Sequence, residues 1–394
     1  MFLSSPSVSK NALLFFWLLI PSMVTLVVTS SSVSRAQDVI EYTQTVKDLG
    51  RGGVRIPTET DAGIIFYNPA MLAFTKGIRW SIADLGFGGG CGSCQVSGGG
   101  NNPVQNPPAA GNLNSLYGNN VWLGGMGRSA LAIGNFGFAL YGSLAMDFLV
   151  QNPVFPSANL TGFQDYGFVV GGAFNLGPSL AFGANFKRVT RTGGTTTVGA
   201  ATLLTATINQ NFLQNTLTAG TSTGTGYGGD IGLIWKPQFP FNPTVSLCWQ
   251  DVGYTPFYAS VGVNPPPPIE DNLVLGLTAH QDFLGIGWGA GLEYRHINNV
   301  DVDLSKKFNA GIELDLALID ARYGFYQGWP GYGLSVDLWL LSFDIASYTV
   351  ERGAVAGQLP DYRYQVGLSF EAGFDPFFSL SEFGGKKRRL KQRR

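Results

Sequence analysis

Residues 362–374 of the chain have the sequence YRYQVGLSFEAGF, in which every second residue from Tyr362 to Phe374 is apolar. The residues between them are polar, charged or glycine. Because successive side chains of a strand point to opposite faces, this stretch predicts a strand with one fully apolar face. Its length exceeds the ~9–11 residues that a tilted strand needs to cross a bilayer. Aromatic residues at both ends of the apolar face suit a lipid layer between two headgroup zones. The stretch therefore predicts the last strand of an outer-membrane β-barrel.

The same alternation recurs along most of the chain from residue 77. It predicts an all-β fold, a transmembrane antiparallel β-barrel of about fourteen strands, an even number within the bacterial range. The predicted strands lie near residues 77–87, 120–133, 136–150, 164–175, 178–191, 225–235, 243–252, 271–282, 286–297, 307–316, 318–327, 331–340, 342–351 and 362–374. One of the rows predicted to face lipid is Phe136, Phe138, Leu140, Leu144, Met146 and Phe148.

Charged residues of these strands take the parity opposite the apolar row. They include Asp147, Lys187, Asp230, Glu293, Arg295, Glu313, Asp315, Arg322, Asp337, Arg363 and Glu371. A charge that faces lipid near the middle of the membrane costs on the order of 2–4 kcal/mol, so a barrel requires this exclusion from one face. The inward charges are mixed in sign. Internal ion pairs that brace the barrel are favoured over a polar conduction path, because a selective ion pore would show one sign of charge.

Long and short connections alternate between the predicted strands. Long ones include residues 88–119, 192–224 and 254–270, whereas Gly134-Asn135 and Leu176-Gly177 are short. Barrels of this kind place short turns in the periplasm and long loops outside. The alternation therefore predicts a bacterial outer-membrane protein with both termini in the periplasm.

The composition agrees with this class and excludes others. Charged residues make up only 13% of the chain and aromatic residues also 13%, whereas soluble domains typically contain about 25% charged residues. The net charge of −1 gives no basis for nucleic-acid binding. Three cysteines in 394 residues do not form a disulfide framework.

The N-terminus indicates export. Lys10 precedes an apolar run from Ala12 to Val28, and the polar stretch after it ends in Ser34-Arg35-Ala36. This order predicts a secretory signal peptide over residues 1–36, cleaved after Ala36. A retained membrane anchor is the alternative reading. No later segment offers the ~18 apolar residues of a membrane helix.

Residues 37–76 differ from the barrel-like region. Asp38 to Leu49 predicts a short helix, and the Asn68-Pro69 pair predicts a turn, because proline restricts the residue before it. The block from Leu49 to Ala73 carries Gly50-Arg51-Gly52, Asp61-Ala62 and Phe66-Tyr67-Asn68-Pro69-Ala70. With these motifs the block resembles the N-terminal region of FadL/TodX-type outer-membrane transporters. It departs from that family at Met71, where Gly is usual.

The resemblance implies that residues 37–76 form a plug inside a fourteen-stranded barrel of residues 77–374, with Asn68, Pro69 and Ala70 at the plug's core. Residues 375–394 would then be a basic periplasmic tail. A similar start occurs in PorV-like barrels, which serve secretion or surface attachment. The resemblance does not identify a solute.

Several residues suggest sites. Gly50, Gly52 and Gly53 would act as a hinge if the plug moves, or would belong to a fixed plug. Cys91 and Cys94 in a glycine-rich loop predict a small disulfide, because a zinc site needs about four ligands and no histidine is near. The two histidines, His280 and His296, are too few for a metal cluster. We expect no enzyme activity, no catalytic or metal site and no cofactor.

Two functions remain open. The first is passive, plug-gated uptake of small hydrophobic compounds of the fatty-acid or aromatic-hydrocarbon class. The second is a non-transporting barrel that binds a secretion, surface or other periplasmic protein. In both, outer-membrane lipid surrounds the barrel and nucleic acid is not a partner.

Overall fold

The strands close into a barrel. The computed structural model describes residues 44–57, 61–90, 120–151, 157–205, 221–262, 264–283, 286–316, 318–338 and 340–374. Each barrel strand pairs antiparallel with its two neighbours, and the first strand pairs with the last, from Ile78 opposite Phe374 to Gly90 opposite Arg363. Fourteen strands form the closed ring, and a fifteenth pairs with one of them at its loop end. The predicted fourteen-stranded barrel is confirmed.

The elements have the following bounds. The strands are β1 Ile78–Gly90, β2 Asn120–Ile133, β3 Phe136–Gln151, β4 Ser157–Asn175, β5 Leu180–Val198, β6 Ser222–Trp235, β7 Thr244–Gln250, β8 Phe257–Val261, β9 Asn272–Phe283, β10 Ile286–Tyr294, β11 Phe308–Leu316, β12 Ile319–Tyr326, β13 Trp329–Leu338, β14 Leu341–Glu351 and β15 Pro360–Phe374. The helices are α1 Val46–Gly50, α2 Ala200–Thr205 and α3 Leu304–Lys307, with 3-10 helices η1 Ala62–Phe66 and η2 Pro69–Phe74.

Strand β8 was not predicted, because its five residues lie in what the sequence indicated as a loop. Strand β6 pairs with β7 over Ile231–Trp235 and with β8 over Thr223–Gly226. Between β7 and β8 the backbone has positive φ at Asp251, Gly253 and Tyr254. The two strands therefore line the same neighbour, separated by a kink.

Strands β4 and β5 extend beyond their predicted ends at the long-loop side. The extension of β5 is rich in threonine and lacks the apolar alternation on which the prediction depended. Hydroxyls pair across its strands instead: Thr192 with Thr223 at 3.0 Å, and Thr161 with Thr195 at 3.1 Å. Cross-strand threonine pairs stabilise a sheet without an oily face.

The outer surface of the barrel is apolar. On β15, Tyr362, Tyr364 and Val366 are about half exposed, whereas Arg363 and Ser369 are buried in the interior. Among the described strand side chains, Arg188 is the charge on the outward parity, and a long side chain can reach the headgroup zone. Phe148 was predicted to face lipid but is 4% exposed, because it lies near the long-loop end of β3, opposite Leu160 of the extended part of β4. The outward belt makes the chain a membrane-spanning barrel of the bacterial outer-membrane type.

No helix in the described residues has the length and apolar character needed to cross a membrane.

Candidate functional site

The segment before β1 lies inside the barrel. Helices η1 and η2 pack on the inner faces of β2 to β6, and α1 packs on β12 to β15. Ile64, Ile65, Ala70, Met71 and Leu72 have no exposed surface. A buried apolar cluster therefore forms between this segment and the barrel, and we call the segment the plug (residues 44–57 and 61–76 of the described chain).

Asn68, Pro69 and Ala70 hold the plug against the barrel wall. The Asn68 side chain accepts a hydrogen bond from Ala70 N at 3.0 Å and so caps η2. Its amide nitrogen donates to the carbonyl oxygens of Leu247 in β7, at 3.2 Å, and Leu233 in β6, at 3.4 Å. Asn68 is fully buried. One side chain thus ends a loop, starts a helix and attaches both to two strands, and the Pro69 that follows suits the first helical turn.

The three glycines proposed as a hinge bring the plug backbone into contact with the wall. Gly52 and Gly53 have positive φ, and a Cβ at Gly52 would lie 2.5 Å from the carbonyl oxygen of Ala310. A Cβ at Gly50 would lie 2.8 Å from the Cα of Gly333 in β13. These positions therefore require glycine for close approach. Their role as a hinge stays a prediction.

A network of ion pairs forms the polar part of the plug. The Asp48 carboxylate accepts from Arg51 at 2.8 Å and from Arg55 at 3.1 Å, and Arg55 also donates to Asp61 at 2.6 Å. Asp48 and Thr45 form a capping box at the start of α1. Burial alone would raise the pKa of the Asp48 carboxyl, but the guanidinium groups of Arg55 and Arg51 hold this pKa well below its usual range.

Two strands bind the plug through charged residues. On β10, Glu293 accepts from the Arg55 backbone N at 2.8 Å and from the Tyr67 hydroxyl at 3.0 Å. The guanidinium of Arg295 pairs with Glu293 at 2.6 Å and also donates to the Gly53 carbonyl. On β11, Glu313 accepts from Arg51 at 3.1 Å. These bonds account for why charges occur at inward positions.

The remaining inward charges lie in further ion pairs or at buried, half-buried and cavity-lining positions. Arg322 bridges Glu313 and Asp320, and Arg363 pairs with Asp361 at 2.6 Å. Asp337 is buried on the inner face of β13, Asp315 is half-buried on β11, and Glu371 lines a cavity near the short turns. The structure thus distributes the predicted lumen charges along the wall, and joins several of them to the plug, without gathering them into one site.

A cavity of about 230 Å³ lies between the plug and the long loops. Its apolar lining includes Phe66 and Tyr67 of the plug and Tyr141, Phe163 and Val169 of the wall. Phe66 and Tyr141 meet edge to face, with ring centroids 5.6 Å apart. We call this space the outer cavity.

Arg191, which lines the outer cavity, forms an ion pair with Asp165. Arg191 makes two bonds to Asp165, at 2.8 and 2.7 Å, and one to the carbonyl of Pro267 at 2.9 Å. Its guanidinium also lies 5.1 Å from the ring of Phe163 and 4.9 Å from that of Phe257. Arg191 therefore holds the loop that carries Pro267 and Pro268 against the cavity.

Lys187 neutralises the acidic side of the same cavity. Its ammonium lies 2.7 Å from Asp230 and 2.8 Å from Asp251. Asp251 belongs to the kink between β7 and β8, and Thr255 of that kink donates to it at 2.7 Å. The ion pair between Lys187 and Asp251 thus attaches the kink to β5, and Asp230 of β6 shares the same ammonium group.

Two further cavities lie among the described residues of the lumen. A second one, of about 240 Å³, lies beside α1 and is lined by Trp122, Tyr326, Tyr348 and Gln44, which also lines the outer cavity. A third, of about 120 Å³, lies between the plug and the short turns and is called the inner cavity.

The potential metal ligands among the described residues do not form a metal site. No group of three or more His, Cys, Asp or Glu in the described residues has a geometry that could hold a metal ion. Cys91 and Cys94 lie outside the described residues. Burial, and then the neighbouring Arg295 and Lys307, lower the pKa of His296 to about 3, so this loop histidine is neutral near pH 7.

Sequence reasoning missed Arg55, Arg191 and Tyr67 as key residues. Parity placed Lys187 and Asp230 inside, but Asp251 lies in a kink that alternation does not describe. The signal for Arg191 was present, since it takes the same parity as Lys187 four residues earlier in β5.

No family model and no curated protein matches the chain. Solved structures that are similar include the Ralstonia pickettii toluene transporter TbuX, with 12% identity and a TM-score of 0.48 over 84% of this chain and 98% of the other. The Pseudomonas putida toluene transporter TodX has 12% identity and a TM-score of 0.43 over 86% and 100%. A Pseudomonas aeruginosa FadL homologue has 12% identity and a TM-score of 0.44 over 85% and 98%. The assignment as a barrel depends on the strand register given above.

Proposed function

We propose that the chain is an outer-membrane barrel through which small hydrophobic compounds, of the fatty-acid or aromatic-hydrocarbon class, pass inward when the plug shifts. The observation that carries this proposal is the outer cavity, whose floor is made by Phe66 and Tyr67 of the plug itself. A solute resting there touches the element that blocks its way. The resemblance of Leu49 to Ala73 to FadL/TodX-type plugs supports the same role.

The lining of the outer cavity suits an uncharged solute. Aromatic rings line the cavity, and charged side chains beside them are neutralised in the Arg191–Asp165 pair and the cluster of Lys187 with its two carboxylates. An apolar ring can lie against Phe66, Tyr141 and Phe163 without removing water from an unpaired ion. The cavity therefore favours a small neutral compound over a carboxylate, so the aromatic-hydrocarbon class is the better fit.

In this proposal the long loops face outward and both termini lie in the periplasm, since barrels place their short turns there. The signal peptide of residues 1–36 directs export, residues 37–76 form the plug, and the basic tail after residue 374 lies on the periplasmic side. Outer-membrane lipid covers the apolar belt, and the hydrophobic solute is the partner of the lumen.

The test is uptake by the purified full chain in lipid vesicles that contain a trapped, solute-binding fluorescent reporter. Toluene is added outside, and its entry is compared in vesicles with the intact chain, with a chain lacking Gln37 to Thr75, and without protein. We expect entry several-fold above the protein-free rate, changed by removal of the plug. If entry equals the protein-free rate in both forms, the transport proposal fails, and recovery of a stoichiometric secretion or surface protein would then favour the partner-binding barrel.

A further inference from the structure

The outer and inner cavities approach each other at a single layer of the plug. Three residues, Asp48, Arg55 and Phe66, line both cavities. All three are at most 5% exposed. A side chain that lines two cavities separates them. Among the described residues, the outer and inner cavities are therefore separated here by the thickness of one side chain.

This layer is held together within the plug. The Arg55 guanidinium donates to Asp48 at 3.1 Å and to Asp61 at 2.6 Å, and both carboxylates belong to the plug. The Phe66 ring lies 5.2 Å from the guanidinium of Arg128 on β2. The guanidinium of Arg55 therefore has carboxylates of the plug as its partners. Removal of this side chain would open a gap between the two cavities without breaking a bond between barrel strands.

Most side chains that line the inner cavity are polar or charged. Its lining includes Asp84 paired with Arg128, Glu313 paired with Arg322, and the carboxyl of Glu371. A hydrocarbon that entered it would displace water from these groups without replacing their hydrogen bonds, which is unfavourable. Water and small ions can exchange hydrogen bonds and charge contacts with these groups, and because the lining is mixed in sign such a route would not select between cations and anions.

We propose that an axial route for water and small ions runs through the lumen. In the intact chain this route is closed by the layer of Asp48, Arg55 and Phe66. This route goes beyond the passage of hydrophobic solutes and does not depend on it. In the intact chain the layer keeps the membrane tight to ions, and a displacement of Arg55 or Phe66 joins the outer and inner cavities into one water-filled path.

The test is ion conductance of the full chain in planar bilayers bathed in KCl. Arg55→Gln removes the cation that joins the two carboxylates, and Phe66→Ala removes the ring without a change of charge. Arg352→Gln is the matched control, because Arg352 pairs with Asp147 beside the second cavity and not in the layer. Folding of each variant is verified by the heat-dependent gel mobility of a closed barrel.

We expect the first two variants to raise the mean conductance at least tenfold above the intact chain, and Arg352→Gln to leave it unchanged. Where Arg55→Gln fails to fold, Arg55→Lys keeps the charge with fewer hydrogen bonds and should give frequent brief openings. Folded variants of Arg55 and Phe66 that stay as tight as the intact chain would overturn the inference. An equal rise in Arg352→Gln would overturn it too, because the leak would then not arise at the layer. Toluene entry in the same variants is a separate readout and can fail independently.

Discussion

Alanine at position 324 should loosen the plug without weakening the barrel. Gly324 lies in β12, and a Cβ added there would come within 2.5 Å of both the Arg51 carbonyl oxygen and the Gly52 nitrogen of the plug. Both are backbone atoms and cannot rotate away. The φ angle of Gly324 is not in the left-handed region, so the strand itself accepts alanine and even favours it.

The magnitude follows from this contact. To reach ordinary van der Waals distance the plug must move by about 1 Å, and insertion of a methyl group into a packed contact typically costs about 1–3 kcal/mol. The free energy of local plug opening should fall by this amount, which corresponds to an increase in opening of about 5- to 150-fold. The cost falls on the plug because the barrel wall is continuous and the plug is held by side-chain bonds.

Hydrogen exchange followed by mass spectrometry measures the opening directly. Amides of residues 44–57 should exchange faster in Gly324→Ala, whereas amides of β11 to β13 should not change. Gly142→Ala is the control, because its Cβ would meet only an atom at 3.7 Å, on β4 and away from the plug. Equal exchange of residues 44–57 in Gly324→Ala and the unaltered chain would refute the close approach of plug and wall.

Three further changes test separate contacts. Glu293→Gln should lower the free energy of unfolding in urea by about 3–5 kcal/mol, because it leaves the buried Arg295 without its carboxylate partner. A loss below 1 kcal/mol would contradict the role of this pair in binding the plug. Glu351→Ala should raise exchange and protease cleavage at residues 353–359, because the Glu351 carboxylate accepts from the backbone of Gly353, Gly357, Gln358 and Leu359; unaltered cleavage would count against it. His296→Asn tests the lowered pKa of His296, and asparagine suits the positive φ at this position. The intact chain should lose free energy of unfolding as the pH falls from about 6.5 to about 3, because the unfolded chain then binds a proton that the folded His296 does not, and the variant should lack this loss. Identical pH profiles of the two chains would contradict the lowered pKa.

Alternation alone was enough to predict the barrel, because lipid imposes the same rule on every strand. It gave the fourteen wall strands and the inward side of Lys187, Glu293 and Arg322. It did not give β8, whose five residues carry no clear pattern, or the threonine-rich end of β5, which extends beyond the apolar belt. Apolar alternation is required only where one face of a strand contacts lipid, so it cannot predict strands or strand ends outside that belt.

The interior was predicted less completely, because its contacts join distant parts of the chain. The motif at Asn68 was identified, but its bonds to β6 and β7 depend on strand register. The glycines at positions 50, 52 and 53 suggested a hinge, which stays a prediction, but their contacts with the wall could not be predicted from the sequence. Their partners Gly324 and Gly333 could be recognised only once the strands were placed beside the plug.

A reversible tether between plug and wall tests the central claim most directly. A Cβ added at Gly367 of β15 would lie 3.1 Å from the Cβ of Val46 in α1, close to the ~3.5–4.5 Å that a disulfide requires. The double variant Val46→Cys/Gly367→Cys is compared with Val46→Cys alone, which retains the three natural cysteines. If passage requires the plug to move, toluene entry into vesicles falls several-fold when the double variant is oxidised and returns on reduction. Equal entry by the oxidised and reduced double variant, with the bond verified by mass spectrometry, would contradict the account.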